Sequence, residues 1–311
     1  MTKKRSRKKK IIGIIANTSK KSALKVVSDL LGILKHYQLD YLLSNSLEDF
    51  EDQINFNIKT AGFVSDKNLC ERSDIIISIG GDGTMLATAY YAQFYDKPVL
   101  GVNLGKLGFL VEADVSHLDK IIEEIKNETY EVEERMVITG ECPGHKVETL
   151  YAINDLVIDK GGWPKMIEIT ITVGGEYVTT FSADGVIVAT PTGSTGYSLS
   201  SGGPIVSPKS DVITISPISP HSLTVKPIVL PSDEQIMIRA DSLHKEVQIN
   251  CDGQRVFAFP PPLEVLVGKS SQPLKLIHTS GTSYFETLRN KLLWGIDLRR
   301  NSVINEDSND K

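Results

Sequence analysis

The stretch Ile75-Ile76-Ile77-Ser78-Ile79-Gly80-Gly81-Asp82-Gly83-Thr84 decides how the chain is read. Its first five residues are almost wholly β-branched and apolar, the composition of a strand covered on both faces in a parallel sheet. Three glycines around one aspartate then break the run, and Met85 to Tyr95 reads as a helix. A strand that enters a helix through a glycine turn puts that turn at the carboxyl end of its sheet. Open α/β sheets bind their ligands there.

Upstream, Ile11–Ala16 is a second compact apolar run, followed by the helix N-cap candidates Asn17-Thr18-Ser19. Leu24, Val27, Leu31 and Leu34 recur at spacings of three and four, one face of a helix. Tyr41-Leu42-Leu43 is a short strand, residues 98–102 begin another, and Leu118, Ile121, Ile122 and Ile125 mark a further helix. The alternation predicts an α/β domain over residues 11–130.

Near residue 130 the apolar period drops to two, which predicts an all-β, sandwich-like domain over 131–279. Ile167, Ile169, Ile171 and Val173 alternate cleanly before Gly174-Gly175 turns the chain into Tyr177, Thr179 and Phe181. Asp252-Gly253 writes a second hairpin between 247–250 and 256–259. Tyr284, Leu288, Lys291, Leu292 and Trp294 fit an amphipathic helix within 280–300, expected to pack back on the first domain. Residues 301–311 are polar and expected to form a flexible tail. Trp163 and Trp294 read as core or interface residues, and His221 as structural.

Residues 1–10 carry seven cations and are expected to form a disordered, solvated tail. Without them the net charge moves from −5 to about −12, and no second basic patch extends their field. A specific nucleic-acid or membrane partner is therefore not expected. The apolar run that follows is too short for a secretory signal, and no stretch approaches the roughly 20 apolar residues of a membrane-spanning helix. Cys70, Cys142 and Cys251 have no metal-type spacing. Three reduced thiols fit a cytoplasmic protein.

Four clusters carry chemistry. In Gly80-Gly81-Asp82-Gly83-Thr84 the glycines let backbone N–H groups approach a phosphate at a helix N-terminus. Asp82 would repel that phosphate, unless it holds a divalent cation or accepts a proton from an attacking hydroxyl. Neither the Walker pattern nor Gly-x-Gly-x-x-Gly is present. The second cluster, Asn103-Leu104-Gly105-Lys106-Leu107-Gly108-Phe109-Leu110, follows the next strand and should line the same sheet edge, with Asn103 able to orient a hydroxyl. The third, Asn154-Asp155, interrupts an apolar strand, so both side chains should face a pocket. The fourth runs from Asp184 to Pro204 and is rich in glycine and hydroxyls, which suit sugar and phosphate groups; Tyr197 can pack on a base.

Together these clusters resemble the NAD kinase family, from Ile11 to about Trp294. The Gly80-to-Thr84 run alone is shared with diacylglycerol-type lipid kinases and, in similar form, with phosphofructokinases. Asn154-Asp155, the run 184–204, Pro220-His221 with Pro227, and Asp252-Gly253-Gln254 are what narrow it. The resemblance implies that an α/β domain is joined to a β-sandwich-like domain. It implies a phosphoryl group moving from ATP, with Mg²⁺ or another divalent cation, to the adenosine-ribose 2′-hydroxyl of NAD, giving NADP. Asp82 would then be the catalytic aspartate that accepts the hydroxyl proton, and Gly83 would lie in the nucleotide-binding loop. Asn154 and Asp155 would recognise NAD. Asp184, Thr195, Gly196, Tyr197, Ser198, Leu199, Ser200 and Gln254 would make further dinucleotide contacts. Members assemble into homodimers or homotetramers with sites near subunit contacts. Gly196 stands where many members carry alanine, and Ser182 where many carry a basic residue, which leaves Lys165 as the nearby cation for the substrate phosphate. A lipid kinase and a catalytically silent NAD-binding sensor are the alternatives.

Overall fold

The structure is a computed structural model describing residues 9–54, 62–105, 108–111, 113–278 and 283–294. Residues 1–8, 55–61, 106, 107, 112, 279–282 and 295–311 lie outside the described residues.

The first part of the chain forms β1 (Ile11–Ala16), α1 (Lys21–His36), β2 (Asp40–Ser44), β3 (Phe63–Val64), α2 (Asp66–Arg72), β4 (Ile75–Gly80), α3 (Asp82–Gln93), β5 (Val99–Asn103), β6 (Ala113–Asp114) and α4 (Leu118–Asn127). Leu24, Val27, Leu31 and Leu34 bury the predicted seam of α1, and every residue of β4 is buried. The remainder forms β7 (Glu131–Arg135), β8 (Ile138–Glu141), β9 (Leu150–Ala152), β10 (Asp155–Asp159), β11 (Ile167–Val173), β12 (Glu176–Ala183), β13 (Gly185–Ala189) and α5 (Tyr197–Ser200). After these come β14 (Val212–Ile218), β15 (Ile228–Pro231), β16 (Ile236–Asp241), β17 (Val247–Cys251), β18 (Arg255–Phe259), β19 (Leu263–Lys269), β20 (Leu274–His278) and α6 (Tyr284–Leu292).

The first sheet has the order β3-β2-β1-β4-β5-β20-β7, with β6 also paired to β5. From β1 the chain builds towards β2 and β3, then crosses to β4 and β5 on the other side. The order therefore reverses between β1 and β4, the place where parallel sheets open a ligand crevice. The two strand ends are tied there by the Asn17 N–H, which donates to the Ile79 carbonyl at 2.9 Å.

The boundaries read at 131 and 279 need a correction. β7 and β20, assigned above to the β domain, belong to the first sheet: β20 pairs parallel to β5 and β7 antiparallel to β20. Leu274 and Leu276 fill the same core as Ile76, Met85 and Val99. A period of two identifies a strand without naming the sheet it joins. The first unit is thus discontinuous in sequence, and α6 returns to it as well.

Between these strands lie two six-stranded antiparallel sheets, β15-β14-β13-β10-β17-β18 and β12-β11-β16-β19-β8-β9. They face each other over one core that includes Ile158, Val186 and Val247 from the first and Ile169, Ile238 and Val265 from the second. Both predicted hairpins form; in the second, Cys251 pairs with Arg255 across the three-residue loop Asp252-Gly253-Gln254, where Asp252 and Gly253 adopt positive φ, 56° and 67°. Neither tryptophan is in the core. Trp163 stacks on His244 at the surface with ring centroids 4.7 Å apart, and Trp294 is exposed. Among the described residues, no helix is long and apolar enough to cross a membrane.

Candidate active site

Asp82 is the first residue of α3 and sits at the switch point. The N-cap is Gly81, which has no side chain to offer, so the carboxylate at the first helical position is the group that meets the positive end of the helix. That carboxylate is held on both oxygens by the second glycine cluster. The N–H groups of Leu110 and Phe109 donate to Oδ1 and Oδ2, each at 3.2 Å. Gly108 comes so close that a Cβ there would overlap the carboxylate. Lys291 of α6 also reaches Oδ2, at 3.0 Å, with its Nζ lying over the Phe109 ring. The side chain of Asn103 is turned onto its own loop, bonding both the N–H and the carbonyl of Gly105. It is engaged there rather than aimed at a ligand.

The β-sandwich contributes the facing wall. Asn154 lies at the bend between β9 and β10, and Asp155 opens β10. That bend is fixed by a buried residue of the β17–β18 hairpin. Oδ1 of Asp252 accepts from the N–H groups of Ile153, Asn154 and Asp155 at 2.9, 2.7 and 3.3 Å. Arg255 bonds the other oxygen of Asp252 at 2.7 Å and the Tyr151 carbonyl at 3.0 Å, and its guanidinium lies 3.7 Å from the Tyr90 ring centroid on α3. From the turn of the same hairpin, Gln254 donates through Nε2 to the Gly83 carbonyl at 2.6 Å. One hairpin therefore sets the Asn154-Asp155 bend and latches it to the Asp82 loop.

Two features make the bend receptive. Oδ1 of Asn154 is buried and has no hydrogen-bond partner within the protein, so it is free to accept from a ligand donor. Asp155 is 5% exposed; burial pushes its carboxyl up to about 7, and the Asp252 carboxylate adds to the rise. Burial likewise raises Asp252, opposed by the three N–H donors and by Arg255.

The hydroxyl-rich loop covers this bend. Thr190 donates to the Ile153 carbonyl at 2.6 Å, and its N–H bonds the Asn154 carbonyl. Gly193 packs so tightly that a Cβ would strike the Asn154 backbone. Gly196 faces the Asn154 amide and the Asp155 carboxylate. Thr195 bonds the Thr192 carbonyl, and buried Ser198 shares a hydrogen bond with Ser216, so both hydroxyls serve the loop. Leu199 is half-buried, while Tyr197 and Ser200 are exposed.

Asp82, Gly83, Asn154, Asp155, Gly196 and Gln254 thus come together, whereas Ser182, Asp184 and Lys165 do not join them. Asp155 pairs with Ala189 and Asp159 with Gly185. Asp184 therefore lies just beyond the other end of β13, about 17 Å along the strands from Asp155. There it pairs with Lys160 at 2.6 Å. Ser182 and Lys165 are exposed, and the carbonyl of Ser182 accepts from the exposed His221. Asp252, Arg255 and Lys291 are the site residues that residue-level reasoning passed over. Asp252 reads as a turn former and Lys291 as a helix-surface cation, so only Asp252-Gly253-Gln254 as a unit hinted at the latch.

A carboxylate inside an amide-lined loop at a sheet switch point, facing a polar bend and a hydroxyl-rich loop, defines a nucleotide phosphotransferase. Residues 12–130 match the family model described as the ATP-NAD kinase N-terminal domain, and residues 153–279 match that of the ATP-NAD kinase C-terminal domain. The chain is 39% identical over 285 residues to an NAD kinase of Chlorobium limicola, covering 91% of this chain and 96% of the relative. With an NAD kinase of Geotalea daltonii the identity is 37% over 260 residues, or 83% and 92% of the two chains. Among solved structures, yeast NADH kinase complexed with NADH superposes with a TM-score of 0.85 at 24% identity, over 94% of this chain and 90% of that one. An NAD kinase from Archaeoglobus fulgidus in complex with ATP gives 0.70 at 25% identity, over 91% and 97%. The chain belongs to the ATP-NAD kinase family.

Proposed function

We propose that the chain phosphorylates NAD with ATP, the phosphoryl group passing to the 2′-hydroxyl of the adenosine ribose. The observation that carries this reading is the latch: Gln254 and Arg255 hold the buried, unpartnered acceptor of Asn154 and the Asp155 carboxyl against the loop that contains Asp82. In the reaction, the bond from the γ-phosphorus to the bridging oxygen of ATP breaks and a new one forms to the ribose oxygen. Asp82 takes the hydroxyl proton, its orientation fixed by two backbone N–H groups. Lys291 offsets charge beside it. Asn154 and Asp155 bind the dinucleotide, with Gly83, Gly196 and Tyr197 around them.

A divalent cation fits in one way. Among the described residues, no group of three or more acidic, histidine or cysteine side chains could hold a metal ion. Asp82 is the one carboxylate of its loop, which suits Mg²⁺ arriving on the ATP phosphates and keeping most of its waters. The ion would neutralise phosphate charge.

Two further readings belong with this one. The three buried, free cysteines support a cytoplasmic location. The separation of Asp184, Ser182 and Lys165 from the Asp82 end supports a homo-oligomer in which a second copy brings those residues to the site. Incubating purified protein with NAD, ATP and Mg²⁺ should yield NADP, measured by a coupled dehydrogenase assay. Binding of NAD with no NADP formed would sink the kinase reading.

A further inference from the structure

A cleft of about 630 Å³ opens away from the residues described above, where β7 and the end of β20 meet the Ser207-Pro208-Lys209 segment and the start of α6. None of Asp82, Asn154, Asp155 or residues 195–200 lines it. Its floor is Arg135, whose side chain is only 3% exposed. Nη2 of that guanidinium reaches Glu133 at 3.3 Å, while Nε is buried with no hydrogen-bond partner. An orphaned donor on a buried cation is costly, and an acceptor in the cleft would relieve it.

Positive groups stand on other walls as well. Ser283, Tyr284 and Phe285 form the N-terminus of α6, a helix of nine residues, and its N-cap Ser283 makes no side-chain capping bond. The first N–H groups of a helix have no partner within it and favour an anion. Lys209 and His278 also line the cleft. Glu131 and Glu133 oppose them, but Glu133 is already engaged by Arg135 and by Nε2 of His278. Beside these groups stands the exposed ring of Phe285.

The geometry points to a second anion site, taking the phosphate group of a small molecule between Arg135, Lys209 and the N-terminus of α6. Arg135 supplies a planar fork that matches phosphate oxygens. This site is independent of the NAD-phosphorylation reading, because it shares no lining residue with Asp82 or Asn154-Asp155.

The test is a titration of the full chain with inorganic phosphate at fixed ionic strength, followed by calorimetry and by broadening of the ³¹P resonance. Saturable binding near the millimolar range is expected. It should weaken at least tenfold in Arg135→Gln and several-fold in Lys209→Glu, and should persist in Asn154→Ala, which alters only the dinucleotide wall. Lys209 is exposed, so its variant is expected to fold even if Arg135→Gln does not. An unchanged affinity in Lys209→Glu overturns the site whatever becomes of the arginine variant, as does the absence of saturable binding in the parent chain. Adding AMP to the phosphate-loaded Asn154→Ala variant separates the sources of the group. Displacement assigns it to a nucleotide and no displacement to the free ion.

Discussion

Asp82 and Asp155 are two carboxyl groups with opposite surroundings, and their expected roles follow from that. Asp82 sits at the mouth of its loop, its carboxylate held by two backbone N–H groups and by Lys291. Replacing it with asparagine keeps the shape but removes the proton acceptor. Asp82→Asn should therefore lower kcat by about 10²–10⁴-fold while calorimetry finds NAD affinity nearly unchanged. A wild-type rate would remove Asp82 from the role of base. Asp155, by contrast, keeps its proton in the folded state up to about pH 7, whereas the unfolded chain releases it near the ordinary value of 3.8. Folding thus takes up a proton between those limits, so this group's contribution to stability falls as pH rises through the window and is lowest above 7. Asp155→Asn removes that slope. Its melting temperature should exceed the parent's by a few degrees at pH 8, and the gap should narrow steadily and close towards pH 4. A gap that does not vary with pH would show that Asp155 does not titrate in this range.

The β17–β18 hairpin carries the site more than any other element. Its sequence announced a turn at Asp252-Gly253, and both residues adopt positive φ there. What lay beyond reading was the use made of the turn. Asp252 caps three N–H groups almost a hundred residues earlier in the chain, and Gln254 crosses to Gly83. Such contacts are set by how two sheets meet, which no local pattern encodes. The strand-turn-helix around Asp82, the seam of α1 and the alternation in β11 were legible because each depends only on neighbours in sequence. The placement of β7 and β20 was not, since an alternating strand suits either sheet. The latch also makes a prediction. Arg255→Ala leaves the Asp252 carboxylate, almost fully buried, without its cation. Arg255 is itself partly exposed, so the loss should fall towards the low end of the roughly 3–5 kcal/mol for breaking a buried pair. Thermal unfolding should register that loss, and KM for NAD should rise more than kcat falls. A rise in KM for ATP alone would place the hairpin on the donor side instead.

At the scale of the whole molecule, the distribution of residues along the β-sandwich makes the number of chains in one site a testable question. Asn154 and Asp155 sit at one end of β10, and Asp184 about 17 Å away beyond the start of β13. If one chain used both ends, a ligand would have to run the length of the strands past a covered face. If two chains pair, each can lend its Asp184 end to the other's Asp82 end, and symmetry makes two equal composite sites. These arrangements differ in a mixing experiment. Asp82→Asn should be nearly inactive alone, and Asp184→Ala strongly impaired alone. After the two are dissociated together and reassembled, half of the dimers are mixed. One site in each mixed dimer carries both defects, and the other carries neither. Activity should then return to about one quarter of the parent value. In a site built from a single chain every copy stays defective, so the mixture would show only the average of the two variants. Recovery clearly above that average, lost again when the mixed species is removed by tag-selective chromatography, assigns Asp184 to its partner's reaction.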